Sequence, residues 1–232
     1  MTSQRTGGGA MAGKRDYGQF CGLAAGLTVI GERWTMLILR ELLIGPARFN
    51  ELPPNLPGIG PNLLAERLRT LIEHGVIEQH AVPGDGRGKQ YRLTERGEQL
   101  REPILALAHW GMQFLSEEDS AGISRAEWGF LAVQAMISTS DLPDRDESYE
   151  FRVGDRVFTV EVADGQVHVR RGSGELPPAI VVGADPETFI RIGARMLSPF
   201  DAIITGGLTI DGDPDAIQRC VRMLRLSTTT DG

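Results

Sequence analysis

The chain has 232 residues, 41% hydrophobic and 24% charged, with a formal net charge of −7; this is ordinary globular composition in a chain longer than the roughly 100–200 residues of one domain, so two domains are expected. No apolar run reaches the ~18–20 residues of a membrane span, and residues 1–15 lack the apolar stretch of a signal peptide, which predicts a cytoplasmic protein with no membrane partner. Two cysteines, Cys21 and Cys220, cannot form a disulfide framework or a four-ligand zinc site.

Residues 1–15, with three consecutive glycines and no apolar period, read as a disordered tail. From Leu23 the positions Leu27, Ile30, Trp34, Leu37 and Leu42 recur at helical spacing, interrupted by Gly31, and predict two helices that end at Gly45-Pro46. A short helical piece over 47–52 and a Pro- and Gly-rich turn over 53–58 lead into a further helix. Its apolar stripe is Leu64, Leu68, Leu71 and Ile72, and it closes at His74-Gly75. Residues 76–82 and 89–94 then form two strands around a glycine-rich tip, which makes a wing. Thr94 is placed to cap a helix carrying Leu100, Ile104, Leu107 and Phe114 to Leu115, with Pro103 kinking or restarting it.

Beyond 116–122 the pattern changes to a helix over 126–137, an acidic loop over 141–147, and strands over 149–153, 157–162 and 166–170, with Gly154-Asp155 and Asp164-Gly165 as hairpin turns. A strand at 180–182, a helix over 186–197, a strand at 208–210 and a closing helix over 214–226 complete the chain. The expected fold class is α+β: a tail (1–15), a winged helix-turn-helix DNA-binding and dimerisation domain (16–115), a helical linker (116–148) and a smaller sheet-and-helix domain (149–228). The acidity belongs to the second half. Residues 14–115 hold twelve basic and eleven acidic side chains, whereas 116–232 hold eleven and twenty.

A recognition helix enters the major groove N-terminus first, so Gly60, Pro61, Asn62, Glu66 and Arg69 are candidate base-facing residues. Asn62 suits adenine and Arg69 guanine or phosphate, with Arg67 a candidate phosphate contact. Arg87, Lys89 and Arg92 on the wing would reach the adjacent backbone, and Arg48 completes the candidate DNA-binding set. For any one of these residues a solvated surface is the competing reading. Asp211, Asp213 and Asp215 start like a calcium loop, but Ala216 and Arg222 replace its glycine and glutamate. His74, His80, His109 and His168 are scattered, with no HExxH pair, Walker loop or nucleophile elbow, so neither an enzyme nor a metal or cofactor is expected.

Residues 21–111 resemble the HxlR family of bacterial winged-helix regulators. The matching pieces are Cys21, Ile30-Gly31-Glu32-Arg33-Trp34-Thr35, Leu37-Ile38-Leu39-Arg40-Glu41-Leu42, Gly45-Pro46-Ala47-Arg48-Phe49-Asn50-Glu51-Leu52, Leu64-Ala65-Glu66-Arg67-Leu68 and Tyr91-Arg92-Leu93-Thr94-Glu95-Arg96-Gly97. The resemblance implies a homodimer that binds double-stranded operator DNA, with two recognition helices about one helical turn apart. Cys21 matches a position at which some members sense oxidants; the competing reading is a packed core cysteine, and Gly22 stands where proline is common.

Residues 150–226 resemble the sterol carrier protein type 2 family, through the strand pair at Asp164-Gly165, Phe189-Ile190-Arg191-Ile192-Gly193, and Gly206-Gly207-Leu208-Thr209-Ile210-Asp211-Gly212-Asp213. This implies an apolar tunnel for a hydrophobic effector, with Phe158, Phe189, Ile192, Met196, Phe200 and Ile203 as candidate lining residues. Plain core, or a dimerisation platform, is the alternative. The function expected is a regulator, more specifically a repressor. The competing readings are a lipid or small-molecule carrier that uses its winged helix for protein contacts, and a redox switch through Cys21.

Overall fold

The computed structural model describes residues 17–82 and 85–226, apart from the side chains at 85–87, 120 and 121. The tail expected at 1–15 lies outside those residues. Two compact units divide between Glu98 and Gln99.

In the first unit, α1 (Gly22–Ile30) and α2 (Thr35–Ile44) precede a two-residue strand β1 (Ala47–Arg48) and 3-10 turns at Phe49–Glu51 and Pro53–Asn55. The helical piece expected over 47–52 is present as the 3-10 turn Phe49–Glu51, but its start is corrected: Ala47 and Arg48 pair with Tyr91 and Gln90 of a later strand. Then come α3 (Pro61–Glu73), β2 (Ile77–Val82), β3 (Asp85–Leu93) and α4 (Glu95–Glu98), with a three-stranded antiparallel sheet in the order β1-β3-β2. Pro61 at the first turn of α3 suits a position whose N–H has no intrahelical partner. The core of this unit comes from Ile38, Leu39 and Leu42 of α2, Leu52 and Leu56 of the turns, and Leu64, Leu68 and Leu71 of α3.

Thr94 caps α4 by accepting from the Gly97 N–H at 3.2 Å, while its hydroxyl donates to the Gly75 carbonyl at 2.7 Å. Gly97 is needed because a Cβ there would lie 2.1 Å from the Val76 carbonyl oxygen and 3.0 Å from the Leu93 side chain. Gly97→Ala is expected to lower the stability of this unit by about 1–3 kcal/mol, as overpacking does. An unchanged denaturant midpoint would mean that α4 is not held at that spot.

The second unit contains α5 (Arg101–Gly111), α6 (Ala126–Met136), β4 (Glu147–Val153), β5 (Arg156–Ala163), β6 (Gln166–Arg171), β7 (Ile180–Ala184), α7 (Pro186–Gly193), α8 (Pro199–Ile204), β8 (Leu208–Gly212) and α9 (Pro214–Met223). Pro103 falls in the first turn of α5, so it restarts the chain as a new helix after α4 and puts no kink within one. The sheet order is β6-β5-β4-β7-β8, with β4 and β7 parallel and the other pairs antiparallel. Asp164 and Gly165, with φ of 51° and 70°, make the β5–β6 turn in the left-handed region that such hairpins require. The helix expected over 186–197 ends at Gly193, and α8 follows as a separate helix capped by Ser198, whose hydroxyl accepts from the Asp201 N–H.

Alternation divides the sheet. Tyr149, Phe151, Val153, Phe158, Val160 and Val162 are buried with Val133 and Met136 of α6 and Cys220 and Met223 of α9. The opposite face buries Ser148, Glu150, Thr159 and Glu161, and the chain after β6 crosses it, with Thr159 Oγ1 donating to the Gly172 carbonyl and the Glu175 and Leu176 N–H groups donating to Glu161.

Candidate DNA-reading surface and apolar cavity

On α3 the apolar stripe faces the core, while Gly60, Pro61, Asn62, Glu66 and Arg69 are exposed. Asn62, Glu66 and Arg69 follow at spacings of four and three and so share one helix face, open from its N-terminus. The buried Leu64, Leu68 and Leu71 hold this helix, and polar contacts fix the turn before it. Glu41 of α2, 6% exposed, accepts from Asn55 Nδ2 at 2.6 Å and from Arg40 Nε at 2.9 Å, and Arg40 also donates to the Asn55 carbonyl. This ties α2 to the turn that launches α3, and an unmatched Glu41 would be costly at such burial.

Arg67 has a different place from the phosphate contact expected of it. Its guanidinium donates to the Arg33 carbonyl and pairs with Glu32 at 3.1 Å and Glu66 at 3.0 Å, leaving its side chain 13% exposed. It clamps α3 to the α1–α2 turn, where Trp34 has a left-handed φ of 79° and Arg33 lies 5.0 Å from the centroid of its ring. Arg67 is thus a positioning residue.

On the wing, Lys89 of β3 is exposed opposite Ala81, and Arg92 meets Glu78 across the strands at 2.5 Å with both side chains about half exposed. Such a surface pair is worth ~1 kcal/mol or less, so Arg92 can exchange Glu78 for a phosphate at little cost. Arg48 lies partly buried at the inner end of the small sheet, paired in register with Gln90. The side chain of Arg87 is outside the described residues.

Cys21 is exposed at the N-cap of α1. Hydrogen bonds from the backbones of Ala24 and Leu23 hold its thiol below the usual range. The core reading of Cys21 is corrected by this exposure: the first turn of α1 starts at the unit's surface, with Phe20 and Leu23 exposed beside it.

In the second unit, an apolar cavity of about 60 Å³ lies between the sheet and its helices. Its walls come from Val133 and Met136 of α6, Phe151, Ile180, Val182 and Ile210 of the sheet, Phe189, Ile192 and Gly193 of α7, and Ile217, Cys220 and Leu224 on and just after α9. Burial, with Glu147 adding to it, pushes the Cys220 thiol up to about 12, so it behaves as a neutral wall atom. Of the expected lining residues, Phe189 and Ile192 reach the cavity. Phe158 does not line it: it is packed into the core, stacked on Phe151 at 5.3 Å. Phe200 and Ile203 are 66% and 47% exposed on α8, and Met196 also lies off the cavity wall. Phe200 and Ile203 sit on α8, a separate helix after the expected one, on a face open to solvent. The walls contributed by α9 were legible as the 3.6-residue stripe Ile217, Cys220, Val221 and Leu224. Those of β4 and β7 required knowing which face of each strand the helices cover.

Among the described residues, no group of three or more His, Cys, Asp or Glu side chains is placed to hold a metal ion, and no single helix is long and apolar enough to cross a membrane.

A helix-turn-helix with a β-wing, followed by a helix-covered mixed sheet around an apolar cavity, defines a winged-helix protein with an added α+β domain. Residues 29–119 match the HxlR-like helix-turn-helix family and residues 142–225 the SCP-2 sterol transfer family. The chain is 32% identical over 98 residues to the HTH-type transcriptional regulator YodB of Bacillus subtilis, covering 42% of this chain and 88% of that protein. It is 41% identical over 97 residues to an uncharacterized HTH-type transcriptional regulator of Mycobacterium tuberculosis, spanning 42% of this chain and 61% of that relative's length. Among solved structures, the reduced form of YodB from B. subtilis matches at 31% identity and a TM-score of 0.37, over 42% of this chain and 97% of that one. The structure of PA1607, titled a putative transcription factor, matches at 36% identity and a TM-score of 0.41, over 46% and 74%. The chain belongs to the HxlR-like helix-turn-helix family of transcriptional regulators and carries an SCP-2-type domain behind its winged helix.

Proposed function

We propose that this protein is a homodimeric, non-enzymatic DNA-binding repressor whose second unit senses a hydrophobic small molecule. The observation that carries the DNA-binding reading is the open N-terminal face of α3, with the Asn62 and Arg69 side chains exposed on it and hydrogen-bonded or ion-paired to none of the described residues. Dimer formation is supported by large apolar side chains left in solvent: Phe20, Leu23 and Leu27 in and before α1, and Leu107, Trp110 and Phe114 in and after α5. Two recognition helices acting together would offset the weak non-specific affinity of a first half at only net +1. For an effector to control the dimer, it must bind one arrangement more tightly than the other.

The test is a fluorescence titration of the full-length protein on DNA from upstream of its own gene. Saturable, salt-sensitive and sequence-dependent binding at or below micromolar protein is expected, and its absence would end the reading. The effector arm uses Gly193→Leu. The new side chain enters the cavity wall, where the nearest atoms to a Cβ are the flexible thioethers of Met136 at 3.1 Å and Met112 at 3.9 Å. Uptake of an apolar fluorescent probe is expected to fall at least tenfold, with DNA binding retained. Unchanged uptake would exclude the cavity as the sensor.

A second reading, redox control through Cys21, is favoured by the exposed, acidified thiol at the α1 N-terminus. Cys21→Ser is expected to remove any loss of DNA binding caused by diamide. An equal diamide response in this variant would exclude it.

A further inference from the structure

The alternation of the five-stranded sheet has an unexpected ending at one corner. On β6, Val167 and Val169 lie opposite Val162 and Val160 on the helix-covered face, and the next residue in that phase, opposite Phe158, is Arg171. On β5 the residue in the same phase before Phe158 is Arg156. Two arginines, both exposed, therefore continue the phase of the apolar residues at this corner.

The helix that covers this corner accommodates them. Glu127, Phe130 and Gln134 form one face of α6 at spacings of three and four. Arg156 pairs with Glu127 at 3.0 Å and Arg125 approaches it at 3.6 Å. The Arg171 guanidinium lies 5.5 Å from the centroid of the Phe130 ring, and Arg101 of α5 donates to Gln134 at 3.3 Å. Arg125 and Arg156 share Glu127, and Asp155, 78% exposed, lies 3.5 Å from Arg156. Arg171 forms no ion pair with the described residues. Burial, followed by repulsion from Arg156 and Arg101 against the opposing pull of Glu127, holds its pKa below the ordinary arginine value. Arg125, Arg156 and Arg171 thus concentrate positive charge on one corner of a half of the chain that is net −9. A single carboxylate would leave it unbalanced, whereas a phosphate group accepts bidentately from two guanidiniums at once.

We propose that this corner is a binding site for a small phosphate-bearing polyanion, held by Arg171 and Arg156 over the Phe130 ring with Arg101 and Arg125 at its margins. The row from Glu127 to Gln134 spans seven residues, about 10 Å of helix, which suits one linked-phosphate group. The phosphate belongs either to a soluble ligand or to a lipid headgroup.

The test is calorimetric titration of the full-length protein with inorganic pyrophosphate, beside the Arg171→Gln and Arg156→Gln variants and the Arg171→Lys control. Flotation with phosphatidylcholine vesicles, with and without phosphatidic acid, runs in parallel. Saturable pyrophosphate binding that weakens at least tenfold in both Gln variants, and less in Arg171→Lys, supports a soluble phosphate ligand. Binding to phosphatidic acid vesicles alone, lost in the same variants, supports a headgroup. No saturable binding of either kind, or equal binding by both Gln variants with unchanged circular dichroism, overturns the site. So does a result in which the variants alter only duplex DNA binding.

Discussion

Glu147→Ala is expected to destabilise the second unit by about 3–5 kcal/mol, the cost of breaking a buried ion pair from one side, and to lower its Tm by roughly 10 °C or more. Glu147 is 8% exposed at the start of β4. Arg219 of α9 grips it with two bonds, Nε to Oε2 at 2.9 Å and a terminal nitrogen to Oε1 at 2.5 Å, and the Tyr149 hydroxyl donates to it at 2.5 Å. Removing the carboxylate leaves the fully buried Tyr149 hydroxyl without an acceptor and the Arg219 guanidinium with only the more exposed Asp213, at 3.3 Å. Burial, with the Glu147 bond and charge adding to it, pushes the Tyr149 phenol far up, so it remains a donor at any working pH.

The same contact sets an acid limit. Hydrogen bonds from Arg219, then the Tyr149 bond and Arg219's charge, outweigh burial and hold the Glu147 carboxyl below the usual carboxylate range. A depressed folded pKa contributes stability that is complete above the unfolded value of roughly 4.3 and is lost as pH falls through the folded one. Thermal melts of the wild type should therefore drop steeply below about pH 4. Glu147→Gln should show a shallower drop from a lower plateau. Parallel curves for the two proteins would show that other acids carry the acid sensitivity.

The second large effect is on DNA. Asn62→Ala with Arg69→Ala should lower affinity for the specific operator by roughly 10³-fold or more, because a bidentate base contact discriminates by about 1–3 kcal/mol and each substitution would enter the proposed dimer twice. Both side chains are exposed, so circular dichroism and melting should be unchanged. Lys89→Ala on the wing should instead weaken binding to all sequences and flatten the salt slope. If the α3 double variant keeps full operator affinity, α3 is not the reading helix. Arg67→Ala belongs to neither group: it should weaken DNA binding through the loosened α1–α2 turn, with a measurable loss of stability.

Periodicity, turn residues and caps determined most of the element order without tertiary information. The stripe Leu64, Leu68 and Leu71 specifies α3, Thr94 caps α4, and Asp164-Gly165 makes a hairpin, because each is a local preference of a few neighbouring residues. Segments 47–52 and 194–204 were not legible in that way. Ala47 and Arg48 become a strand only because β3 offers hydrogen bonds, and the chain after Gly193 starts a separate helix, α8, on which Phe200 and Ile203 are exposed. Only the tertiary structure could commit Arg67 to Glu32, thirty-five residues away, and turn Arg171 and Arg156 onto one corner of the sheet. Charge and spacing along a chain say which side chains can reach a phosphate. Which of them already hold a partner is decided by the neighbours that folding brings within 3–4 Å, and those are not neighbours in sequence.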